Sequence, residues 1–120
     1  MDLYNYEITS IQKVVDGDTV YVNVSLGFDV KYLAKVRLKE IDTPELNSKD
    51  EAERELAKDY KTFVSNLLLN AMDYEKPLYL QSKSRGKYGR WIGDIVWEGR
   101  NGPKSLVSII KLKLQADGLL

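Results

Sequence analysis

The stretch VVDGDTVYVNVSL, Val14 to Leu26, decides how the chain begins to fold. Val20, Val22 and Val24 alternate with Tyr21, Asn23 and Ser25, which is the two-residue period of a half-buried strand. Upstream, Ile8 to Val15 is a second β-rich run, and Asp16-Gly17-Asp18 joins the two. Asp-Gly supplies the positive φ and the local side-chain hydrogen bonds of a tight turn. The pair therefore predicts an antiparallel hairpin with one face in a core.

Working outward, a third run, Val30 to Leu38, follows Gly27 and ends at Asp42-Thr43-Pro44, where the pre-proline position is pushed out of the helical region. Next, SKDE at Ser48 to Glu51 fits a capping box with Ser48 at the N-cap. Behind it Ala52, Leu56, Tyr60, Phe63, Leu67 and Ala71 recur at spacings of three or four, predicting one amphipathic helix that ends near Asn70. PLYLQS and RWIGDIVW read as two more strands linked by KSRGKYG, and Pro77 can open the first of them. RNGPK reads as a turn, and Ser105 to Leu114 carries a helical repeat. The expected fold is mainly β with helices (α+β): a five-stranded Greek-key barrel of the OB type, with a long helix between strands three and four and a C-terminal helix.

With 120 residues, the chain fits one domain, 1–120, with a single core. No apolar run approaches the roughly 20 residues needed to span a membrane, so no membrane partner is expected. The chain has no Cys, which excludes disulfides and thiolate metal sites. It also has no His, which excludes Ser-His-Asp triads and imidazole bases. Any catalysis must run on carboxylates, Lys, Arg, Tyr or a hard metal ion. The start of the chain, MDLYNYEITS, carries no basic residue and no apolar core of a secretory signal, and localisation is left open.

Net charge is zero but unevenly spread. Ser82 to Lys113 holds eight basic residues against two acidic ones, whereas Glu40 to Lys58 holds seven acidic against three basic. Two solvated faces would explain this; so would a polyanion groove beside a cation site. Four acidic residues, Asp16, Asp18, Asp42 and Glu45, crowd the turns around VVDGDTV and VRLKEIDTPE, with Arg37 among them. A turn needs one such residue, not four. Asp18 and Asp42 fall at the mouths of adjacent strands, so their carboxylates can converge on one hard cation, with a backbone carbonyl near Thr43. Glu45 could hold or deprotonate a water at that cation. Arg37 and Arg90 offer two forked guanidinium groups to a phosphate in its pentacoordinate state.

VVDGDTV, VRLKEIDTPE and KYGRWIGDIVW, in that order and with an amphipathic helix between, resemble the staphylococcal nuclease (thermonuclease) family. The resemblance covers about Ile8 to Leu120. It implies an OB barrel and calcium-dependent hydrolysis of DNA and RNA to ends bearing a 3′-phosphate. By matched position it implies that Asp18 and Asp42 are the calcium carboxylates and that Thr43 gives its main-chain oxygen. Arg37 and Arg90 would stabilise the transition state and Glu45 would act on the attacking water. Lys87 and Tyr88 would touch the terminal phosphate of a bound nucleotide, and Asp16 would take a supporting place in the turn.

The expected partner is DNA or RNA in single-stranded form, and the protein is expected to be a monomer. The donor set leaves magnesium open beside calcium. A noncatalytic nucleic-acid-binding module on the same barrel is the competing expectation. The staphylococcal enzyme is strongly basic and this chain is neutral, so its affinity for nucleic acid should be weaker and lost at lower salt.

Overall fold

A computed structural model of the chain describes residues 4–85 and 89–120. The elements are β1 (Tyr4–Asp16), β2 (Thr19–Ser25), β3 (Lys31–Leu38), α1 (Glu51–Tyr74), β4 (Leu78–Arg85), β5 (Trp91–Gly99), β6 (Gly102–Ser105) and α2 (Leu106–Ala116).

β1 is 13 residues long and serves two neighbours. Its first part pairs antiparallel with β4, Tyr4 opposite Ser82 to Ile8 opposite Leu78, and its remainder pairs with β2. Three register shifts between Ile8 and Asp16 bend the strand, as bulges do when one strand must turn a barrel corner. β2 runs against β3 in unbroken register from Thr19 opposite Arg37 to Ser25 opposite Lys31. Closure comes from a short parallel seam, Val36 opposite Trp91 to Leu38 opposite Gly93, which joins β3 to β5. Five strands thus close as β1-β2-β3-β5-β4 and return to β1.

Gly93 is required at that seam. A Cβ there would lie 2.2 Å from the carbonyl oxygen of Gln81 on β4.

The period of two fills the interior. Val20, Val22, Val24, Ala34, Val36, Leu38, Leu78, Leu80, Ile95 and Trp97 are buried in one core cluster. α1 closes over it with Ala57, Tyr60, Val64, Leu68 and Ala71, the stripe that three-and-four spacing produces. α2 adds Leu106, Val107, Ile110 and Leu114.

Three boundaries differ from the sequence expectation. The N-cap of α1 is Asp50, whose carboxylate accepts from the Ala52 amide, not Ser48. Ser48 instead accepts from the Asp50 amide and donates to Glu53, so the capping residues stand two positions later than SKDE suggests. α1 runs on to Tyr74, because nothing before the Lys76-Pro77 pair interrupts it. RNGPK is a turn only at Arg100 and Asn101; Gly102–Ser105 pairs with β5 as an edge strand, where Pro103 costs no ladder bond.

Candidate active site

Asp18 ends the tight turn before β2 and is the fixed member of the acidic group. Its Oδ2 accepts the Thr43 amide at 3.0 Å and its Oδ1 accepts the Thr19 hydroxyl at 3.1 Å. Its backbone carbonyl accepts the Leu38 amide at 2.8 Å, so the turn is tied to the end of β3 and to the segment after it. Gly17 makes that contact possible: a Cβ there would stand 2.9 Å from both Thr43 Oγ1 and Tyr60 Cβ. The turn therefore rests directly on Thr43 and on α1. Thr43 Oγ1 itself is buried without a hydrogen-bond partner among the described residues.

Arg37 brings the two aspartates together. Its Nη2 donates to Asp42 Oδ1 at 2.5 Å and stands 3.5 Å from Asp18 Oδ2, while Nη1 donates to the Leu38 carbonyl at 2.8 Å. The side chain of Asp18 is 12% exposed and that of Asp42 95%, so one carboxylate is rigid and the other is held, among the described residues, by this single pairing. A positive group thus lies where two carboxylates meet. Asp16, one turn position earlier, has its pKa raised, chiefly by burial and then by the neighbouring Asp18 charge. Negative charge is already crowded at this corner.

Glu45 is exposed, and its backbone is what the fold holds. Its amide donates to Glu53 Oε2 at 3.2 Å, and its carbonyl accepts the Ser48 amide at 3.3 Å. No three acidic side chains gather closely enough to hold a metal among the described residues. Asp18 and Asp42 come together on Arg37. Arg90 immediately precedes Trp91, which pairs with Val36, so Arg90 arrives at the β3–β5 seam that carries Arg37. Lys87 and Tyr88 lie outside the described residues. Beside Asp42, Thr43 and Pro44 a cleft of about 470 Å³ runs along Asp50, Ala52, Glu53 and Leu56 to Leu119.

The profile of the staphylococcal nuclease homologue family matches residues 35–113. The chain belongs to this family. Arg37, Asp42, Thr43, Glu45, Lys87, Tyr88 and Arg90 fall inside the matched span, and Asp16 and Asp18 precede it. No match was found among curated proteins.

Two supports of this nuclease-like site escape a reading of motifs. Glu53 accepts from both Glu45 and Ser48, and these two bonds lower its pKa, the serine hydroxyl contributing most. A carboxylate at the third helical position behind an Asp cap was the available signal. Tyr60 is fully buried behind the Gly17 turn and donates its hydroxyl to Asp117 Oδ2 at 2.6 Å. Burial first, then this carboxylate, pushes the phenol far above its ordinary pKa. The Lys113 ammonium lies 4.6 Å from the same ring, so the end of α2 is fastened to the back of the site. Nothing in the sequence pairs Tyr60 with a residue so far along the chain.

Proposed function

We propose that the protein is a metal-dependent nuclease that hydrolyses phosphodiester bonds of single-stranded DNA or RNA, with calcium as the working ion and a 3′-phosphate as product. What carries the reading is Arg37, whose one guanidinium spans Asp18 and Asp42 at the mouth of β2 and β3. A structural turn has no use for a convergence of two carboxylates and a forked cation.

The donor set suits a hard divalent ion. Asp18 and Asp42 supply carboxylate oxygens, Thr43 a main-chain carbonyl, and the Thr43 amide fixes Asp18 in place. Bound there, the ion would polarise the phosphate and lower the pKa of a coordinated water. Arg37 then turns its fork from Asp42 to the phosphate, a change that Asp42, exposed and held by one pairing, permits. Arg90 approaches from the other strand of the seam, so two guanidiniums meet the charge that grows on the equatorial oxygens. Glu45 would take the proton of the attacking water; the water oxygen bonds to phosphorus, the bond to the 5′ oxygen breaks, and that oxygen takes a proton from solvent as it leaves. The loop bond from Glu53 sets where Glu45 stands.

Cleavage of single-stranded DNA and of RNA is to be measured with millimolar calcium, magnesium or EDTA, wild type beside Glu45→Gln. Cutting that requires calcium and falls by roughly 10² to 10⁴ in the variant is the expected result. Binding without cutting in any metal would make the protein a noncatalytic module.

A further inference from the structure

The β2–β3 hairpin ends in an apolar tip. Phe28 is fully exposed there, and Leu26, Val30 and Tyr32 beside it are about half exposed. Phe28 and Asp29 both lie in the left-handed region, at φ 54° and 62°, which a bulky side chain adopts only at a cost. Backbone bonds close the turn: the Leu26 amide donates to the Val30 carbonyl at 2.8 Å and the Val30 amide to the Gly27 carbonyl at 2.9 Å. A glycine or an asparagine would suit such a turn better, and the phenyl ring buries nothing in its own fold. Folding therefore gives no reason for Phe28.

Next to the tip the barrel end opens in a cavity of about 390 Å³, and residues from both sides of the turn, Leu26 and Tyr32, line it together with Tyr6, Val24, Ala34 and Trp91. The Trp91 indole N–H donates to the Tyr32 hydroxyl at 3.3 Å, which fixes the aromatic wall. One surface thus carries a protruding ring and, beside it, an apolar hollow. That is what an isologous contact needs, because a two-fold axis next to the tip sets each ring at the other copy's hollow. Charge agrees with it. Asp29 and Lys31 are exposed and have no ion-pair partner among the described residues, and two hairpin tips facing each other in antiparallel sense bring Asp29 of each copy beside Lys31 of the other. A lipid surface suits the tip less, because the Asp29 carboxylate would enter it beside the ring.

We propose that the hairpin tip is a self-association surface, through which two copies of the chain pair about a two-fold axis with Phe28 of each seated in the barrel-end cavity of the other. With an aromatic side chain counting for roughly 150–250 Å², the exposed parts of Phe28, Leu26, Val30 and Tyr32 amount to on the order of 500 Å² per copy, so a pair covers roughly 1,000 Å², the low end of specific interfaces. The pair is therefore weak, and the monomer expected from the sequence is its dilute form. Thr19 opposite Arg37 and Ser25 opposite Lys31 mark the two ends of the β2–β3 ladder, about 20 Å apart at roughly 3.3 Å per residue. The acidic corner stays open in the pair, and the proposal does not depend on the nuclease reading.

The test is sedimentation velocity over a concentration series, with tryptophan emission read on the same samples. Trp97, the other tryptophan, is 3% exposed and serves as the silent background. The expected result is a monomer–dimer equilibrium with a dissociation constant on the order of 10 µM, and a Trp91 emission that shifts with the fraction of dimer. Phe28→Ser should weaken pairing at least about tenfold, as loss of a central aromatic anchor does, and abolish the emission shift. Its melting temperature and any cleavage should stay as in wild type. Lys31→Asp should weaken pairing by setting like charges together, and Asp29→Lys added to it should restore the dimer. A wild type that is still monomeric about a hundredfold above that concentration overturns the proposal. So does a dimer that survives Phe28→Ser, or one lost in Phe28→Ser whose formation never moved the Trp91 emission. Binding of a monomer to vesicles of anionic phospholipid, lost in Phe28→Ser, would give the tip to a membrane and overturn it as well.

Discussion

At the residue scale the question is why one arginine should serve two acids. Arg37 makes three contacts with one guanidinium, and its two Nη atoms point to different partners, the Leu38 carbonyl and Asp42. A lysine keeps the charge but has no fork. Arg37→Lys should therefore fold and bind a strand nearly as wild type does, yet lose on the order of 10²-fold or more in kcat, because the fork acts on charge that develops only in the transition state. Steady-state rates on a single-stranded substrate decide it. A raised KM with kcat intact would make Arg37 a strand-binding residue and nothing more. The Arg37, Asp18 and Asp42 grouping was legible in the sequence because strand mouths are set by local turn chemistry, and both acids flank turns. The hold on Glu45 was not, since Pro44 starts a loop that is tied through the Glu45 amide to Glu53, on another element.

Elements explain that loop. The capping residues of α1 were read at Ser48 and Glu51, and they act at Asp50 and Glu53, because Asp50 reaches the Ala52 amide and frees Ser48 and Glu53 to bind the loop instead. The start of α1 is therefore also the mount of Glu45. Glu53 has a folded pKa below its ordinary value of 4.5. For a lowered carboxylate the stabilising contribution is fully present above the unfolded value and is lost as pH falls through the folded one. The Glu45 amide should accordingly be protected from hydrogen exchange at neutral pH, relative to its intrinsic rate, and lose that protection below about pH 4.5. Glu53→Gln should lack this transition. Protection that is flat with pH in wild type would mean that the loop is held by something other than Glu53. α2 is mounted in a similar way: Asp94, buried on β5, accepts the Val107 amide at 3.0 Å and the Ser105 hydroxyl at the N-cap, which explains an acid in the otherwise apolar run WIGDIVW.

For the whole molecule, the barrel was readable as strands but not as a closed object. Alternation marks β2 wherever it stands, whereas the parallel seam of Val36 with Trp91 joins residues far apart in sequence and leaves no periodic trace. That seam is what sets the acidic corner beside the basic second half of a chain with no net charge. Charge crowding has a price at this corner: the raised pKa of Asp16 reports burial and the Asp18 charge together. A divalent ion held by the folded state alone should relieve it, and linkage makes the relief measurable as stability. At a hundredfold excess over its dissociation constant a ligand adds about 2.7 kcal/mol, or on the order of 10 °C in Tm for a domain of this size. Thermal unfolding of wild type in calcium should rise by that order over unfolding in EDTA. Asp18→Asn should unfold near the wild-type temperature in EDTA, since an amide oxygen can still accept from Thr43, and should lose most of the calcium increment. If the variant instead unfolds far below wild type in EDTA, Asp18 serves the turn, and the stability of the corner owes nothing to a metal.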